Sequence, residues 1–142
     1  MSVPLERDAE LFALDPATCM TLLSTQPVGR LVLGGSDPNV IPVNFVVVGD
    51  GVAFRTATDG AAAAADGDAV LFEVDMFDGR TRSGWSVLVR GRLTATERPL
   101  GDVPTWAPGA RERSMLVTIE TVTGRLLRGS VEAPDHPPGG YL

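Results

Sequence analysis

The sequence predicts an all-β-dominated fold with peripheral helix, and three observations predict it. Six runs rich in β-branched and aromatic residues follow one another from Val28 to Val122, separated by Gly, Asp, Asn and Pro. Within the longer runs apolar and polar side chains alternate, as they do on a pleated sheet. The connections are mostly short, so consecutive strands are expected to pair antiparallel.

Taken in order, the first segment, to about Gln26, reads as helical. In "LDPATCMTLLSTQ", Asp15 suits an N-cap, Pro16 the first helical position, and Cys19, Leu22 and Leu23 recur at helix spacing. "VGRLVL" is the first strand, and "GGSDPN" from Gly34 to Asn39 is a turn into the second, "NVIPVNFVVV". There Ile41, Val43, Phe45 and Val47 share one face and Val40, Pro42, Asn44, Val46 and Val48 the other; both are largely apolar, which implies cover on both sides by a helix or a partner subunit. "GDG" at Gly49 to Gly51 signals a hairpin into "GVAFRTA".

A short alanine-rich helix then precedes "AVLFEVDMF", where Glu73 and Asp75 share a face that reads as solvated. From Trp85 to Glu97 a long run sets Trp85, Val87, Val89, Leu93 and Ala95 against Ser86, Leu88, Arg90 and Arg92, and Gly91 permits a bulge or bend. "RPLGDVPTWAPGARER" is a Pro/Gly-rich loop with a short turn of helix at most, in which Trp106 serves as lid or packing anchor; "SMLVTIETV" is the last strand. Residues 1–128 are thus expected to form one domain with an N-terminal helix, and 129–142, Pro/Gly-rich, a mobile tail or an arm ordering against a partner.

Composition narrows the function. A net charge of −6 disfavours general nucleic-acid binding, which rests on neutralising phosphates. Cys19, the only cysteine, excludes an internal disulfide or a thiolate cluster and reads as a packed thiol. All 12 basic residues are arginine, so lysine chemistry is absent and a phosphate clamp must use guanidinium, hydroxyl or backbone N–H groups. The single histidine, His136, lies in the tail; no catalytic side chain and no metal site are expected. No apolar run approaches the roughly 20 residues of a membrane span, and no secretory signal is visible in "MSVPLERDAELFALD", so a cytoplasmic location is expected.

The stretch most open to a ligand is Arg55-Thr56, where a strand ends just before the alanine-rich helix. A guanidinium binds phosphate oxygens in bidentate fashion, a hydroxyl adds a bond, and a helix N-terminus adds N–H groups. Asp59 competes, because as N-cap of that helix its carboxylate would repel the same anion.

The series "VGRLVL", "VIPVNFVVVGDGVAFRTATDG", "VLFEVDMFDGRTRSGWSVLVRGRL", "WAPGARER" and "VTGRLL" resembles, in order and spacing, the pyridoxamine 5′-phosphate oxidase-like flavin-binding split-barrel family, and more narrowly its short actinobacterial members. The resemblance covers about Leu14 to Arg128. It implies a six-stranded antiparallel split barrel assembled as a homodimer, with FMN, or in some relatives a deazaflavin coenzyme, in a groove between subunits. The matching positions are Val43 and Asn44 at the ring edge, Arg55 and Thr56 at the phosphate, Gly60 and Ala61 in the following turn, and Trp85 and Ser86 on a neighbouring strand. Asn44 has a plainer reading as a group that satisfies backbone at a strand end, and Trp85 as a core or interface aromatic.

One departure stands out. Where family members carry a lysine in a "GSK"-like turn, this chain has Asp59, Gly60 and Ala61; Arg80, Arg82 or Arg90 are the sequence's candidates to replace its charge. Three readings follow: a flavin- or deazaflavin-dependent oxidoreductase acting on a small substrate, a non-enzymatic module that binds a flavin or another flat ligand, and an interaction domain with no ligand bound.

Overall fold

The computed structural model describes residues 9–129. The tail reading for 130–142, and His136 with it, lies outside the described residues. The elements run β1 (Glu10–Leu14), α1 (Pro16–Leu23), β2 (Val28–Leu33), β3 (Asn39–Asn44), β4 (Val46–Val48), β5 (Gly51–Thr56), α2 (Ala61–Ala64), β6 (Ala69–Asp78), β7 (Ser83–Ala95) and β8 (Arg113–Arg128). All strand pairs are antiparallel, and the sheet order is β3-β2-β6-β7-β8-β5-β4, with β1 added to β8.

The two ends of that order, β3 and β4, are consecutive in the chain and meet at Phe45. The sheet therefore curls until its edges are joined through one residue. Phe45 turns inward there, 4% exposed, and packs edge-on against Phe72 with ring centroids 4.9 Å apart. Around this pair lie Leu31, Val52, Phe54, Val74, Val87, Val89, Leu93, Met115 and Val117, all buried. A curled antiparallel split barrel is the result.

Consecutive strands of the expected runs pair as expected except β5 and β6, which α2 separates; β5 pairs instead with β4 and β8, and β6 with β2 and β7. Two further sequence expectations change. The barrel has eight strands where six were expected, partly because the run Asn39 to Val48 breaks at Phe45 into β3 and β4. The other cause is the first segment: residues 10–14, expected to be helical, form β1 instead and pair with the far half of β8, from Glu10 opposite Arg128 to Leu14 opposite Gly124. The helix begins only at Pro16, capped as expected by Asp15, whose Oδ1 accepts the Thr18 N–H at 2.8 Å. Its Cys19 is fully buried above Gly124, where a Cβ would stand 2.6 Å from the Cys19 Sγ.

The face assignment on β7 holds: Trp85, Val87, Val89 and Leu93 are buried, while Arg90 and Arg92 are exposed. The bulge expected at Gly91 occurs, and the extra residue is on the opposite strand. Arg90 faces Thr121 and Gly91 faces Ile119, so Glu120 of β8 is unpaired. Among the described residues no helix is long and apolar enough to cross a membrane.

Candidate functional site

At the rim where β3, β5 and α2 come together lies a groove with a volume of about 280 Å³. Its walls are Ile41, Pro42, Val43 and Asn44 from β3, Arg55 and Thr56 from the end of β5, and Ala57, Gly60, Ala61 and Ala62 beyond it. Strand β3 is an edge, paired only with β2, which is why it tolerates Pro42. Six of the expected site residues, Val43, Asn44, Arg55, Thr56, Gly60 and Ala61, thus line one depression.

The far wall is the connection 96–112 between β7 and β8, which supplies Thr105, Ala107 and Arg111. Three contacts pin it. Val103 is buried at 9% exposure, the Trp106 N–H donates to Asn44 Oδ1 at 2.7 Å, and Arg55 Nε donates to the Arg111 carbonyl at 3.0 Å. Asn44 also donates from Nδ2 to the Pro27 carbonyl at 3.2 Å, so both ends of its amide are engaged with backbone. Trp106 is held through its backbone N–H, and the residue stands 67% exposed.

Electrostatically the groove is cationic. Among the described residues the ion pairs are Arg30 with Glu73 and Asp75, and Arg128 with Glu10; neither Arg55 nor Arg111 has a carboxylate partner. Asp59, expected to cap α2 and repel an anion, does not do so: the cap residue is Gly60 and no side chain bonds to the helix start. The helix itself is a single turn of four residues, too short to add the N-terminal field considered above.

Trp85 and Ser86 stand apart from this groove. Adjacent strand residues face opposite ways, so Trp85 points into the core at 7% exposure while Ser86 lines a separate cavity of about 540 Å³ with Ala13, Glu73, Leu88, Arg90 and Arg125. Arg80, Arg82 and Arg90 do not line the Arg55 groove either; Arg80 and Arg82 belong to the β6–β7 turn, and the second cation is Arg111. A signal for the connection was present, because an irregular segment of this length inside a domain is either functional or a linker.

Glu73 and Asp75, read as a solvated pair, bracket Arg30 at 3.2 and 3.6 Å. Burial first, then a hydrogen bond with Asp75 and its charge, push the Glu73 carboxyl up to about 7 against the pull of Arg30. Among the described residues no group of three or more His, Cys, Asp or Glu side chains is arranged to hold a metal ion.

The sequence profile of the pyridoxamine 5′-phosphate oxidase family matches residues 15–125. An uncharacterized protein of Mycobacterium tuberculosis is 37% identical over 97 residues, a match that takes in 63% of this chain and spans 64% of that relative's length. Among solved structures, the FAD binding protein of Mycobacterium smegmatis superposes with a TM-score of 0.68 at 30% identity, over 84% of this chain and 100% of that one. A Corynebacterium glutamicum protein that carries the family's name superposes with a TM-score of 0.73 at 26% identity, over 89% and 99%.

Proposed function

The chain belongs to the pyridoxamine 5′-phosphate oxidase family, and we propose that it is a flavin-dependent oxidoreductase acting on a small substrate. The observation that carries this is the convergence of Arg55, Thr56, Val43 and Asn44 on one groove. The donor set fits the phosphate end of a flavin, since a guanidinium and a hydroxyl side by side are a phosphate-binding pair. Ile41, Pro42, Val43, Ala57 and Ala62 offer an apolar wall to a flat ring.

A bound flavin would supply the redox chemistry. What the chain contributes is binding and placement. Arg55 and Thr56 anchor the charged end, the apolar wall orients the ring and excludes water from one side, and Asn44 keeps the connection 96–112 in place.

At about 280 Å³ the groove lies at the lower end of the roughly 300–1,000 Å³ typical of ligand pockets, and we read it as one half of a site. In our reading a second copy of the chain, forming a homodimer, supplies the remainder, including Ser86 from its separate cavity. FMN is the first candidate; FAD, named for the Mycobacterium smegmatis relative, and the deazaflavin coenzyme are the others.

The test is a fluorescence titration of the purified protein with each of the three. Saturable binding of one, at one per subunit, and a ten-fold or greater loss of affinity in Arg55→Ala are expected; absence of binding at micromolar concentrations would remove the proposal. The replacement of the family's lysine by Asp59, Gly60 and Ala61 favours a second reading, a flavin-binding module without turnover. Reduction and reoxidation of the bound flavin by a donor separates the two.

A further inference from the structure

The geometry points to Arg111 as the second cation of an anion clamp that, with Arg55 and Thr56, makes the groove select phosphorylated flavins over unphosphorylated ones. This rests on the flavin reading above. Its origin is an imbalance of charge. Arg55 and Arg111 both line one groove, joined by the bond from Arg55 Nε to the Arg111 carbonyl, and among the described residues no carboxylate pairs with either.

In a chain of net charge −6, two cations held together without acidic partners form a local site for an anion. Arg111 also has donors to give. Its Nη1 bonds the Ala110 carbonyl at 3.2 Å, one contact out of the five donors of a guanidinium. On the opposite side of the groove, where a lysine would stand in the family, Gly60 and Ala61 offer no side-chain charge. The cation has moved from the turn before α2 to the connection before β8, so the phosphate is gripped from the loop side.

The position of the bonds makes the test selective. Arg55 is held by the backbone oxygen of Arg111, not by its side chain, so Arg111→Ala removes a charge and leaves the Arg55 anchor in place. FMN and riboflavin share a ring and differ by one phosphate, and each is titrated by fluorescence against wild type, Arg111→Ala and Arg111→Lys. Wild type is expected to prefer FMN. Arg111→Ala should lose about ten- to a hundred-fold in FMN affinity with riboflavin affinity unchanged, and Arg111→Lys should recover part of the loss.

Unchanged FMN affinity in Arg111→Ala would overturn the clamp while the flavin reading stands. So would an equal loss for both ligands, which would make Arg111 a prop for the loop. Wild-type protein that binds neither ligand, nor FAD or the deazaflavin coenzyme, would overturn the flavin reading and the clamp together. Thermal melting of each apo variant checks folding, and Arg111→Gln replaces Arg111→Ala if that variant does not fold.

Discussion

Arg30, Glu73 and Asp75 form a charge cluster on adjacent strands, and its behaviour follows from one proton. Because the folded protein holds the Glu73 proton more tightly than the unfolded chain does, the stability from this group is fully present below pH 4.5 and lost as pH rises to about 7. Thermal melting of wild type and Glu73→Gln between pH 4 and 8 checks this. The wild type should lose stability relative to the variant across that window, and parallel curves would show that Glu73 ionises normally. Single residues were only partly legible in the sequence. Asp15 was, because a cap satisfies N–H groups three residues away. Asp59 was misread, since cap chemistry fits many positions and only the observed turn shows that Gly60 takes the role. Asn44 had two readings, and its bonds to Pro27 and Trp106 favour the backbone-satisfying one without removing it from the groove.

Among the elements, β8 depends most on its neighbours. Met115 and Val117 face the core before Glu120, and Val122 and Leu126 face it afterwards, because the unpaired Glu120 shifts the alternation by one residue. Gly91 makes the bulge possible. A Cβ there would stand 2.1 Å from the Thr118 carbonyl oxygen, which belongs to the partner strand's backbone and cannot rotate aside. Gly91→Ala should therefore cost about 1–3 kcal/mol in urea denaturation. Gly34→Ala, with nothing within 4 Å of its new Cβ, should stay within about 0.5 kcal/mol of wild type. Equal stability of the two variants would refute the steric account. The glycine announced a bend in the sequence, yet which strand carries the extra residue depends on register, which is set by the pairing.

For the whole molecule, the proposed shared site predicts a second copy. Light scattering at micromolar concentration should give twice the 14.9 kDa of the chain; a monomer would leave Ser86 without a route to the groove. The outer face of β3 is consistent with such cover, with Val40 57% exposed on an edge strand. By itself the sequence determined the mostly β character, the hairpins that join β2 to β3, β4 to β5 and β6 to β7, the inward residues of β7, the capped start of α1 and the polar Arg55-Thr56 end of β5. All of these are written in local terms, as alternation with period two, turn chemistry and a cap three residues from its partner. The tertiary structure alone decided that "ELFAL" is a strand, that the barrel closes through Phe45, and that Arg111 faces the groove of Arg55. Those choices join residues far apart in the chain, 56 positions in the case of Arg55 and Arg111 and more than a hundred between β1 and β8. An edge strand takes its conformation from the unpaired edge that awaits it, and a loop takes its place from what it can bond across the barrel; neither partner is visible in the local pattern.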